Sequence, residues 1–123
     1  MGDLTKNFSR NEFACWCRCG ADDIDLRLVD YLQSLRDSVG PIKVTSGVRC
    51  KLYNAQVGGS DDSAHLSGEA ADIHCPSGEF RYDIIHANHH EQFGTLFDRI
   101  GIGSDFIHLD ISQSKDNDVI WVY

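Results

Sequence analysis

The sequence predicts an α+β fold, a single domain over residues 1–123 with a small, largely antiparallel sheet flanked by helices. Three observations carry this expectation. Leu28, Leu32 and Leu35 recur at helical spacing near the N-terminus. Short alternating stretches then crowd the C-terminal part, as strands do when hairpins rather than long crossovers join them. The 123 residues lie within the common single-domain range of roughly 100–150, and no repeat, linker or low-complexity stretch marks a second unit.

Taken in order, residues 1–21 read as an irregular, Cys-rich segment that Phe8, Phe13 and Trp16 anchor to the core. Asp22 or Asp23 is placed to cap a helix running to about Ser38, with Tyr31 beside its leucine face and Gly40-Pro41 as its stop. Ile42–Thr45 alternates as a strand, and Leu52–Val57 suits a short helix before Gly58-Gly59. Ser60–Gly68 is polar and reads as a loop, whereas Ala70–Cys75 reads as a second strand. Helical patterning returns after Pro76-Ser77-Gly78, first through Phe80, Ile84 and Ile85, then through Phe93, Leu96 and Phe97. Gly101–Gly103, Phe106–Ile111 and Val119–Tyr123 complete the set as strands.

Composition narrows the function classes. Nineteen acidic against 11 basic residues give a net charge of −8, opposite to the basic stripe that a phosphate backbone demands, so no nucleic-acid partner is expected. No apolar run approaches the ~18 residues of a membrane span, and the opening Met1–Asn7 has no secretory pattern. The expectation is a monomer made in the cytoplasm, without membrane insertion, whose target lies elsewhere. Five cysteines, three of them at Cys15, Cys17 and Cys19, make a poor disulfide framework for such a chain.

Three segments concentrate chemically capable side chains: Ser46–Arg49, Ser63–Asp72 and Asp105–Asp110. In the last, Ile107, Leu109 and Ile111 alternate with Phe106, His108 and Asp110, so one strand face is apolar and the other presents a His and an Asp. Buried polar groups need partners, and a metal is one. His65 from a loop and Asp72 from a strand complete, with His108, a set of two imidazoles and one carboxylate. Three such ligands leave a fourth zinc position open, the catalytic arrangement. On spacing alone a strand histidine satisfied within the core is the commoner reading and the metal site the rarer one, and both stand.

Ser63-x-His65-x-x-Gly68-x-Ala70-x-Asp72 followed by Asp105-x-x-His108 resembles the zinc D-alanyl-D-alanine carboxypeptidases and L-alanyl-D-glutamate endopeptidases that cut peptidoglycan stem peptides. Ser46-Gly47-Val48-Arg49 and Tyr53-Asn54-Ala55 through Val57-Gly58-Gly59 are similar to the segment before the first ligand in that family. The opening Phe8-Ser9-x-x-Glu12-Phe13-x-Cys15-x-Cys17 resembles its phage and prophage members, so the likeness covers nearly the whole chain. The resemblance implies the hedgehog/DD-peptidase fold and one catalytic zinc held by His65, Asp72 and His108. It implies that Asp105 is the general base, taking a proton from the attacking water and passing one to the leaving amine. It implies that Arg49 binds a substrate carboxylate or the developing oxyanion, and that Ser63 orients substrate or the ligand loop. The partners implied are peptidoglycan peptides, the role a phage or prophage endolysin, and the place of action the cell wall or periplasm after release.

Other readings stand beside these. Asp105 could cap a turn and Arg49 form a surface ion pair; Asp110 reads as support for His108 rather than a fourth ligand. Glu69, His74, His86, His89 and His90 read as outside the site, and Cys75 as a small buried hydrophobe. Cys15, Cys17, Cys19 and Cys50 suit a second, structural zinc or a disulfide with reduced thiols, although Cys-x-Cys-x-Cys is tighter than usual zinc spacing. A catalytically silent zinc module of the same fold is the functional rival, and a cysteine–zinc interaction protein is a third reading.

Overall fold

A computed structural model describes residues 2–90 and 94–123. The chain forms a 3-10 turn (Arg10–Phe13), α1 (Leu26–Val39), β1 (Val44–Ser46), α2 (Lys51–Gln56), a second 3-10 turn (Ala64–Ser67), β2 (Ala70–His74) and α3 (Gly78–Ala87). Then come β3 (His89–His90), β4 (Gly94–Thr95), β5 (Arg99–Ile102), β6 (Phe106–Asp110) and β7 (Val119–Val122). Five strands make one sheet in the order β1-β2-β6-β5-β7, and β3 pairs with β4 apart from it. The sheet is antiparallel except where β5 runs parallel to β7, so it is mixed and mostly antiparallel.

Alternation along the central strands decides the layering. Ala71, Ile73, Ile107, Leu109 and Ile111 are buried toward α1, which contributes Leu28, Val29, Leu32 and Leu35, all fully buried. Those four side chains alone stabilise the fold by roughly 6–12 kcal/mol before conformational entropy is charged against them. α3 packs beside α1 and adds Ile84. The opposite face of the same strands carries Asp72, His108 and Asp110. Here β2 and β6 pair in a register that sets Asp72 directly across from His108.

Several boundaries differ from the sequence expectation. The cap of α1 is Asp25, whose carboxylate accepts the Arg27 N–H at 2.8 Å, not Asp22 or Asp23. Ile24 is buried in the core, and the helix starts after it. Gly40, at φ 91°, ends α1 as expected. β1 lies at Val44–Ser46, later than Ile42–Thr45. The expected Ser60–Gly68 loop contains the second 3-10 turn.

Among the described residues, the second half of the helical pattern after Gly78 is not helix. Leu96 and Phe97 are buried through an extended segment that Asn88 binds, its side chain donating to the Phe97 carbonyl and accepting the Phe97 N–H, both at 2.8 Å. Phe93 lies outside the described residues. Phe8 and Phe13 anchor the N-terminal segment as expected, but Trp16 is 64% exposed and does not. Among the described residues, no helix is long and apolar enough to cross a membrane.

Candidate metal centre

His65 arrives on the second 3-10 turn, a tightly built piece of chain. Ser63 caps it, its Oγ accepting the His65 N–H at 3.2 Å, so Ser63 holds the ligand loop directly. Gly68 closes it at φ +72°, where a Cβ would also overlap the Asp23 carbonyl. The Gly68 carbonyl accepts the N–H of Asp25 at 2.9 Å, fastening the turn to the start of α1. Asp72 and His108 come from the paired inner strands, so two of the three groups sit within the sheet rather than at its edge.

The ring nitrogens are sorted by their outer partners. His65 Nδ1 donates to the Gly47 carbonyl at 2.7 Å, leaving Nε2 to face Asp72 Oδ1 at 3.3 Å. His108 Nε2 donates to Asp110 Oδ2 at 2.7 Å, leaving Nδ1 2.9 Å from the same Asp72 oxygen. The three donor atoms lie within 4.8 Å of one another. Tetrahedral zinc with bonds of 2.0–2.1 Å separates its N/O ligands by about 3.3 Å, so the 3.3 Å contact matches an edge of that figure and the 2.9 Å contact is slightly shorter. The donor set therefore fits zinc. A histidine that gives its other N–H to a carbonyl or carboxylate is also the usual support of a metal-binding imidazole.

Charge around the centre is arranged in a chain. Burial alone would raise the Asp72 carboxyl, but hydrogen bonds from His108 and His65 outweigh it and hold the group well below the ordinary carboxylate range. Burial would likewise lower the His108 imidazole, but Asp110 and Asp72 leave it raised above its usual 6.5. Asp72 Oδ2 meets the Arg49 guanidinium at 3.3 Å. That guanidinium is also held by Ser46 Oγ and by Asn54 Oδ1, each at 3.2 Å. On the far side Asp110 Oδ1 lies 2.8 Å from Arg99 Nε. The Arg99 N–H is not aimed along that line, so the contact is charge pairing rather than a directed hydrogen bond.

A cleft of about 510 Å³ opens over the centre, lined by Arg49, Ser63, His65, Asp72 and His108 together with Trp121 and Tyr123. A second, of about 270 Å³, adjoins it through Arg49, Asp72 and Phe106 and is lined by Asp105. Asp105 is exposed there, and its backbone carbonyl accepts the Cys75 N–H at 2.8 Å.

The sequence did not single out Arg99, Trp121 or Tyr123. The Trp121 ring lies 5.4 Å from the His108 ring and receives the Arg99 cation at 5.1 Å. Gly101 makes this possible, because a Cβ there would sit 2.8 Å from Trp121 and 2.7 Å from Tyr123. Gly101 lies opposite His108 and Arg99 opposite Asp110, a pairing that spacing along the chain does not display.

His74 and His86 are exposed and outside the cluster; His86 stacks on Tyr82. His89 and His90 lie in β3, and His89 is exposed. Cys75 is buried in the core. Cys15, Cys17, Cys19 and Cys50 are all free thiols and form a second group of four.

The family model described as peptidase M15 matches residues 6–110, a span that holds Arg49, His65, Asp72, Asp105 and His108 but stops short of β7. No curated protein matches the chain. With that match over most of its length, and a His-Asp-His group that fits zinc, the chain belongs to the peptidase M15 family.

Proposed function

We propose that the chain is a zinc peptidase that hydrolyses an amide bond within peptidoglycan stem peptides. Membership of a peptidase family supports peptide substrates as the class. The observation that carries the reading is the convergence of His65 Nε2, His108 Nδ1 and Asp72 Oδ1 beneath an open cleft. Zinc held there by His65, Asp72 and His108 would supply the Lewis acidity that activates water at about pH 7 and polarises a carbonyl.

The side chains do the rest. Asp105, at the rim of the adjoining cleft, takes the proton of the attacking water and returns one to the leaving amine. Arg49 holds the oxyanion or a substrate carboxylate, its fork already oriented by Ser46 and Asn54. Ser63 keeps His65 in place. The two clefts meet at Arg49 and Asp72, so the groove runs on past the centre toward Asp105, which supports an internal bond over a chain end. Release against the cell wall as a phage or prophage lysis enzyme is the role this chemistry suits.

Digestion of purified peptidoglycan with the wild type and with Asp105→Asn, read by mass analysis of the products, tests the proposal. The wild type should release stem-peptide fragments. The variant should keep its zinc and lose activity by about 10²–10⁴-fold. A fully zinc-loaded wild type that releases nothing from any wall type would make the chain the silent module of the same fold.

A further inference from the structure

The N-terminal cysteines gather around a point of their own. Sγ of Cys15 and Cys17 are 3.4 Å apart, those of Cys17 and Cys50 are 3.5 Å apart, and all four sulfurs, Cys19 included, fall within 4.8 Å of one another. A tetrahedral zinc tetrathiolate with bonds of about 2.3 Å requires sulfur separations of about 3.8 Å, so the cluster needs only small adjustments to close on an ion. The tight Cys-x-Cys-x-Cys spacing is accommodated by the backbone: Arg18 at φ 63° and Gly20 at φ 93° curl the segment on itself. A non-glycine residue in that region is unfavourable and persists where its surroundings dictate it.

Two of the sulfurs already receive backbone N–H groups. Cys50 N–H points to Cys15 Sγ at 3.5 Å and Tyr53 N–H to Cys50 Sγ at 3.4 Å. Such donors suit thiolates, the form in which cysteine binds metal.

We propose that Cys15, Cys17, Cys19 and Cys50 bind a second zinc ion, a structural one that clamps the N-terminal segment onto the loop bearing Arg49. Four protein ligands leave no open position, so this ion takes no part in hydrolysis. Its effect is mechanical. Cys50 follows Arg49 directly, and the three other ligands belong to a segment joined to the body elsewhere by Phe8 and Phe13. The site does not depend on the peptidase reading, because its ligands are separate from the histidine centre.

Metal analysis of the purified full-length chain, kept reduced, tests this. The wild type should carry two zinc ions, and His108→Ala and Cys19→Ser one each. X-ray absorption at the zinc edge of His108→Ala should show a sulfur-only shell at about 2.3 Å. Thiol titration of the folded wild type should find Cys15, Cys17, Cys19 and Cys50 unreactive until a chelator is added. Because Cys19→Ser could fail to fold, the absorption spectrum and thiol count of the wild type stand as independent readouts. One zinc per wild-type chain with only nitrogen and oxygen neighbours, freely reactive thiols in the metal-loaded protein, a disulfide among the four, or iron in their place would each overturn the proposal.

Discussion

Asp110→Asn isolates the support of a proposed metal ligand, His108, from the ligand itself. Asp110 is 1% exposed and serves three partners: His108 Nε2 at 2.7 Å, Arg99 Nε at 2.8 Å and the Ser112 N–H at 3.1 Å. Asparagine keeps the shape and one acceptor but removes the charge. Loss of such a partner typically weakens metal affinity about 10–100-fold, or about 1.4–2.7 kcal/mol. Folding should suffer too. Arg99 retains the Asp116 carbonyl at 2.5 Å and the Trp121 ring, so the cost falls short of stripping a buried pair. A value of about 1.5–3 kcal/mol is expected, that of one hydrogen bond to a charged group, lowering Tm by roughly 6–12 °C.

The pH dependence gives this prediction its sharpest test. Asp110 raises the His108 pKa, so it also helps protons compete with zinc. Removing it weakens the ligand and relieves that competition at once. The affinity deficit should therefore be full above the raised His108 pKa and shrink as pH falls through it. Competition titration against a chromophoric chelator at about pH 8.5 and about pH 6 measures both values. A variant that binds zinc as tightly as the wild type at the higher pH, or whose deficit widens on acidification, refutes the role assigned to Asp110.

Three further outcomes follow from the same geometry. In the metal-free protein, the raised His108 pKa contributes stability below about pH 6.5 that is lost as pH rises through its folded value. The depressed Asp72 pKa contributes stability above about pH 3.9 that is lost as pH falls toward its folded value. Urea melts should thus find the stripped protein weaker at about pH 8.5 than at about pH 6, and zinc should abolish that decline; a stripped protein that strengthens toward alkaline pH contradicts the pairing. Arg49→Lys cannot reproduce a fork shared by Ser46, Asn54 and Asp72, so kcat/KM should fall about 10²–10³-fold with zinc content unchanged. Parallel loss of zinc would instead make Arg49 a prop for Asp72. Gly68→Ala forces a positive φ and an overlap with the Asp23 carbonyl, and should cost about 1–3 kcal/mol in thermal melts; an unchanged Tm would show that the turn relaxes.

What was legible in the sequence was what local periodicity encodes. The β6 alternation placed His108 and Asp110 on one face and Ile107 and Leu109 on the other, and the structure keeps that division. The pattern of α1 revealed its buried leucines, because an amphipathic helix displays its packing in its spacing. Non-local pairing was hidden. β7 joins the sheet edge beside β5 in parallel, which brings Trp121 over His108, and nothing near Trp121 in the chain announces that neighbour. Leu96 and Phe97 carry helical spacing yet reach the core through the Asn88 side chain, a tertiary contact that overrides periodicity. Trp16 looked like an anchor because of its size, but Cys15 beside it takes the buried place and Trp16 stays outside.

The segment Gly47–Cys50 explains why an irregular N-terminus belongs to the centre rather than merely covering it. Each of its four residues commits a backbone group to one side or the other. Gly47 gives its carbonyl to the His65 ring at 2.7 Å, and Val48 its N–H to the Phe13 carbonyl at 2.8 Å. Arg49 gives its N–H to the His65 carbonyl at 3.0 Å, and Cys50 its N–H to Cys15 Sγ at 3.5 Å. A shift of the N-terminal segment must therefore move either the His65 ring or the Arg49 guanidinium, and misplacement of about 1 Å can reduce a rate 10²-fold. The family match, over residues 6–110, takes in Phe8 and Phe13 together with this segment.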